Sequence, residues 1–110
     1  MTIFITQGRY TQQAMKGMLA KPEDRALQVK ALAKRHGAKM LAYYVTFGEF
    51  DFLTVFDAPD ANTAFAILAT AGAGGSVSDL RTTVALTTTE AMTGFEAAAK
   101  SAAQFRSAGT

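Results

Sequence analysis

The order of apolar and polar positions divides the chain into strand-like and helix-like runs. Thr2 to Thr6 is built only of β-branched and aromatic residues, the composition of a strand. Gly8 is the expected breaker in the Gln7–Tyr10 segment that leads out of it. Lys39 to Phe47 and Phe52 to Phe56 are two further strand-like runs. Val77 to Thr88 alternates, with Leu80, Thr82, Val84 and Leu86 on one face and Arg81, Thr83, Ala85 and Thr87 on the other. Between them lie the helical runs. Thr11 can cap a short helix to about Leu19, because its hydroxyl accepts a first-turn amide that has no intrahelical partner. Lys21-Pro22 interrupts, and Pro22 with Glu23-Asp24 suits the first turn of a second helix ending near Arg35. The apolar stripe of that helix is Ala26, Val29, Leu32/Ala33 and His36, and Gly37 follows as its C-cap residue. Asp60 is placed to cap a helix from Ala61 to about Ala71, with Ala64, Phe65, Leu68 and Ala71 as the expected buried stripe. Thr89-Glu90 opens an Ala-rich helix in which Met92, Phe95, Ala99, Ala102 and Phe105 recur at helical spacing.

The resulting order, β-α-β-β-α-β plus a terminal helix, is an α+β, ferredoxin-like split βαβ. It implies a four-stranded antiparallel sheet with helices on one face. Residues 1–88 form the domain and 89–110 a helical extension of it. The third strand carries apolar residues for both faces, Phe52 and Phe56 on one side and Leu53 and Val55 on the other. The uncovered face is therefore expected to pack on a second copy, giving a homodimer or higher homo-oligomer.

Composition sharpens this picture. At 110 residues the chain has the size of one domain. It is 49% hydrophobic but only 18% charged, a low charge content that fits an apolar surface covered by another subunit. The net charge of +2 comes from scattered basic residues, so no nucleic-acid partner is expected. With no cysteine, thiol chemistry and disulfides are excluded, and a cytoplasmic location is expected. The N-terminus lacks the charge and apolar run of a signal peptide, and Ala61–Ser78 is too Gly-rich for a membrane span.

Gly48-Glu49-Phe50-Asp51 joins the second and third strands as a hairpin connection. Gly48 suits a backbone turn with positive φ, and Asp51 suits the capping of hairpin amides. With Phe4-Ile5-Thr6, Tyr10-Thr11, Pro22-Glu23, Gly37-Ala38-Lys39, Tyr44–Phe47 and Ala58-Pro59-Asp60, these residues make the chain resemble the GYD domain family over roughly Ile3 to Thr87. That family is named for a Gly-x-Tyr-Asp motif, and Phe50 replaces the tyrosine here. The resemblance implies the dimeric α/β-barrel superfamily, whose GYD members mostly lack an assigned activity. Effector-binding domains of leucine-responsive regulators are similar in fold and hold small ligands at subunit interfaces. No helix-turn-helix precedes the first strand, so a transcription-factor role is not expected.

The expected role is thus a small oligomeric domain with a site for a small organic ligand, leaning away from catalysis. A cofactor-free monooxygenase or isomerase, as the superfamily implies, and an assembly module built on the sheet face and terminal helix are the alternatives. His36, the one histidine, is a general-base candidate, against the plainer role of a residue at a helix C-terminus. Tyr43 and Tyr44 must point to opposite sheet faces, and whichever lies on the open face is expected to meet Arg81 or Thr83. Tyr43, Tyr44, Phe50, Asp51 and Arg81 are the ligand-binding candidates, and His36, Tyr43 and Tyr44 the catalytic ones. One histidine without cysteine offers no metal-ligand cluster of the usual kind, and no cofactor is expected. Gly72-Ala73-Gly74-Gly75 follows a helix and lacks a lysine, so it is not a phosphate loop.

Overall fold

The computed structural model describes all residues, Met1–Thr110. Its elements are β1 (Thr2–Tyr10), α1 (Gln12–Ala20), α2 (Ala26–Arg35), β2 (Lys39–Val45), β3 (Phe52–Ala58), α3 (Ala61–Ala73), β4 (Val77–Ala85) and α4 (Thr88–Ala102). The four strands form one antiparallel sheet in the order β2-β3-β1-β4. This is the ferredoxin-like arrangement expected from the strand order.

One face of the sheet is helix-covered. Phe4, Phe56 and Ala58 meet Ala33 of α2 and Ala64 and Ile67 of α3 in the main apolar cluster, with Val29, Leu32 and Met40 around it. Thr6 and Thr54 are buried on the same face, where their hydroxyls are satisfied. Thr6 shares a 2.9 Å bond with Thr82, and Thr54 donates to the Thr6 carbonyl. The alternation along β3 is complete: Phe52, Thr54, Phe56 and Ala58 are buried, and the residues between them are only partly covered.

Several local expectations need correction. β1 does not end at Thr6 but runs through Gly8 to Tyr10. Gly8 sits at a bulge, where the register on β4 shifts between Gln7 and Arg9. A Cβ there would lie 2.7 Å from the Phe52 ring and 2.8 Å from Leu80, so close side-chain packing explains the glycine. Pro22, Glu23 and Asp24 precede α2 rather than forming its first turn; the Asp24 carboxylate accepts the Ala26 N–H at 2.9 Å instead. On α3 the buried position is Ile67, three residues after Ala64, while Phe65 faces solvent. Asp60 and Thr11 cap their helices as expected, accepting from Thr63 and Ala14. Gly37 takes a φ of 71° directly after α2. Gly48 does not have a positive φ, so the hairpin makes no use of that glycine's freedom.

The other sheet face carries no helix of its own domain core. Pairing places Ile3, Ile5, Leu53 and Val55 at its centre on β1 and β3. α4 starts with a capping box, in which Thr87 accepts the Glu90 N–H and Glu90 accepts the Thr87 N–H. None of its residues is buried. The radius of gyration is 18.0 Å, against roughly 13 Å for a compact domain of this length.

Candidate functional site

A cleft of about 540 Å³ opens where the α1–α2 corner arches over one end of the sheet. The periodicity of α1 builds one wall: Gln13, Ala14, Gly17 and Met18 all line it, the i, i+3/i+4 stripe of one helix face. Arg25, Val29, Leu32 and Arg35 of the α2 region form the second wall, and the end of α3 with Ser76 and Val77 forms the third. Thr11 ties that third wall to α1. Its N–H donates to the Ser76 carbonyl at 3.0 Å and its hydroxyl to the Gly75 carbonyl at 2.8 Å.

The floor is aromatic. β1 brings Tyr10 and β2 brings Tyr43 to the helix side of the sheet, where their hydroxyls share a 2.6 Å hydrogen bond. Both rings rest near Phe52, with centroid separations of 5.2 and 6.1 Å. Burial, then the bond to Tyr43, pushes the Tyr10 phenol well above the ordinary tyrosine range, with the Arg25 charge pulling weakly the other way. Arg25 also pairs with Glu23 at 2.9 Å on the cleft rim.

Tyr43 is thus the one ligand-binding candidate from the sequence that lines this cleft. Tyr44 lies on the open face, 63% exposed. It shares a transverse row with Leu53, Gln7 and Arg81. β2 and β4 are the two edges of the sheet, so Tyr44 and Arg81 stand about 14 Å apart and do not meet as expected. Thr83, paired with Ile5 on the same far edge strand, is no closer a partner. His36 is the exposed C-cap residue of α2 and does not line the cleft.

Asp51 and Phe50 serve the hairpin in a way the sequence did not show. The Asp51 carboxylate accepts the Tyr10 N–H at 2.9 Å, and its own N–H donates to the Gly8 carbonyl at 2.8 Å. The carboxylate therefore fastens β1 beyond its bulge instead of capping hairpin amides. Arg9 spans the same joint, lying 5.6 Å from the Phe50 ring centre and donating to the Glu49 carbonyl. Thr46 closes the hairpin, its hydroxyl donating to the Phe50 carbonyl and its N–H to the Asp51 carbonyl. Asp51 thereby holds in place the backbone of Tyr10, a floor residue of the cleft.

Tyr10 and Arg25 were absent from the sequence candidates. The period-two run Phe4, Thr6, Gly8, Tyr10 places Tyr10 on the core face once the strand continues through Gly8.

A family model described as GYD domain matches residues 4–95. The chain belongs to the GYD domain family. The match ends inside α4, so most of that helix also falls within the family's span. Among solved structures, this GYD chain is similar to one described as FFRP-DM1, at 14% identity over 78% of this chain and 100% of that one, with a TM-score of 0.50. It is also similar to a hypothetical protein from Pyrococcus horikoshii, at 14% identity over 79% of this chain and 92% of that one, with a TM-score of 0.49. At such identity the likeness concerns the fold alone. No curated protein matches the sequence. No helix is long and apolar enough to cross a membrane.

Proposed function

We propose that this GYD-domain protein binds a small organic molecule in the cleft between α1, α2 and the sheet, and that it works as a homo-oligomer joined through the open sheet face. The observation that carries the binding role is the cleft itself. Its volume of about 540 Å³ lies in the range of small-molecule sites. Apolar walls from Ala14, Met18, Val29, Leu32 and Val77 surround a few convergent polar groups, the composition that such sites share.

The chemistry of the floor favours binding over proton abstraction. Tyr10 is held protonated by burial and by its bond to Tyr43, so it serves as a hydrogen-bond donor and not as a base. The carboxylate of Glu23 is engaged by Arg25. The oligomer is supported by the apolar centre of the open face, Ile3, Ile5, Leu53 and Val55.

Gly17 provides the test. It lies on the cleft-lining face of α1, and a Cβ there would meet nothing within 4 Å. Gly17→Leu should therefore fill the cleft without disturbing the fold, and it gains helix propensity of about 0.7–1 kcal/mol. Thermal shifts measured over a panel of small organic acids and aromatics should raise the melting temperature of the wild-type protein and leave that of Gly17→Leu unchanged. Equal shifts in both proteins would place binding elsewhere and contradict the proposal.

A further inference from the structure

We propose that the cleft selects a carboxylate: a small organic acid whose apolar body lies against α1 and α2 and whose carboxylate meets the Tyr10–Tyr43 hydroxyl pair and Arg25. This deepens the binding role above and rests on it.

The hydroxyl pair sets the polarity. Two phenols carry two hydrogens, and the 2.6 Å bond between them uses one. The second has no protein acceptor, so the floor presents one O–H donor to the cleft. Either hydroxyl can donate the shared bond, so the free hydrogen lies on one tyrosine or the other and faces the cleft from the pair. A ligand meets it with an acceptor.

The rim sets the charge. Lys21, Arg25 and Arg35 line the cleft with Glu23 as the one carboxylate among the lining residues. Arg25 is held by Glu23 through one terminal nitrogen, and its other N–H groups have no partner. Arg25 lines the same cleft as Tyr10 and Tyr43, so its guanidinium and the floor donor face one space. A hydroxyl donor on the floor and an incompletely paired guanidinium lining the same cleft suit the two oxygens of a carboxylate.

A phosphate fits less well. Phosphate sites draw on several backbone N–H groups at a helix N-terminus. At the start of α2 the Ala26 N–H is already taken by the Asp24 carboxylate, which adds a negative charge at that point.

The experiment compares acids with neutral partners of the same shape. Benzoate and hexanoate are titrated calorimetrically beside benzamide and hexanamide, into the wild-type protein, Arg25→Gln, the Tyr10→Phe/Tyr43→Phe pair and Gly17→Leu. The acids are expected to bind at least tenfold more tightly than the amides. That preference should collapse in Arg25→Gln while amide binding stays unchanged, and it should fall in the double Phe variant. Tyr43→Phe alone should cost less, because Tyr10 then keeps a free hydrogen. Acids and amides binding equally to the wild-type protein, with both lost in Gly17→Leu, would overturn the carboxylate proposal and leave the cleft as a binding site. Binding that survives Gly17→Leu, or no binding by any probe, would overturn the cleft as well.

Discussion

Asp51 shows how one residue can join two parts of a chain that are distant in sequence. Pairing between β1 and β3 ends at Gly8–Phe52, and beyond that point the Tyr10 N–H has no strand partner on that side. The Asp51 carboxylate takes the place of one, at 2.9 Å. Removing it in Asp51→Ala should lower stability by about 1.5–3 kcal/mol, the range for a hydrogen bond to a charged group, as read from urea denaturation. Gly48, two residues before Phe50, has ordinary φ and open space around it. Gly48→Ala should therefore stay within about 0.5 kcal/mol of the wild-type protein. A loss at Gly48 as large as that at Asp51 would contradict this account of the motif. The sequence marked the motif as a hairpin but not what it fastens. The partner of Asp51 lies 41 residues away and becomes visible only through the bulge at Gly8.

At the scale of elements, the strand order was legible because alternation and helical stripes are local properties of the chain. Boundaries were less so. β1 outlasts its glycine because the bulge absorbs the irregularity, and α2 starts after Pro22-Glu23-Asp24 because Asp24 caps from outside. The buried stripe of α3 shifted to Ile67 because the helix is apolar nearly all round, so composition alone did not select its face. α4 is a 15-residue helix, about 22 Å long, whose Phe95 is 73% exposed. A helix of this length is marginal alone, so its N-terminal capping box matters. The Glu90 carboxylate accepts the Thr87 N–H, which lowers its pKa below the ordinary 4.5. The folded form thus holds that proton less tightly than the unfolded form. Its stabilisation is complete above pH 4.5 and is lost as pH falls through the lowered value. Backbone carbon shifts of Thr88–Ala91 should move toward coil values on acidification to about pH 2, and Glu90→Gln should flatten that response. Unchanged shifts in the wild-type protein would show that the box does not hold the helix start.

The whole molecule leaves much apolar surface uncovered. Eight hydrophobic side chains are buried, while Leu41, Val84, Leu86, Met92 and Phe95 are among the large ones exposed. Ile3, Ile5, Leu53 and Val55, central on the open face, support the proposed assembly through it. Sedimentation at micromolar concentration should give a mass of at least twice 11.7 kDa; a strict monomer would contradict assembly through that face. The cleft also belongs to this scale. Tyr43 could be singled out from its strand, but Tyr10 and Arg25 join it only when the α1–α2 corner folds over the sheet end. No spacing along the chain records that meeting.

The central claim is that this cleft is a ligand site, and amide chemical-shift mapping during titration with benzoate tests it most directly. The account predicts shifts that saturate at Tyr10, Gly17, Arg25 and Tyr43, and that vanish in Gly17→Leu. Shifts concentrated at Tyr44, Leu53 and Arg81 on the open face, or none at all, would contradict it.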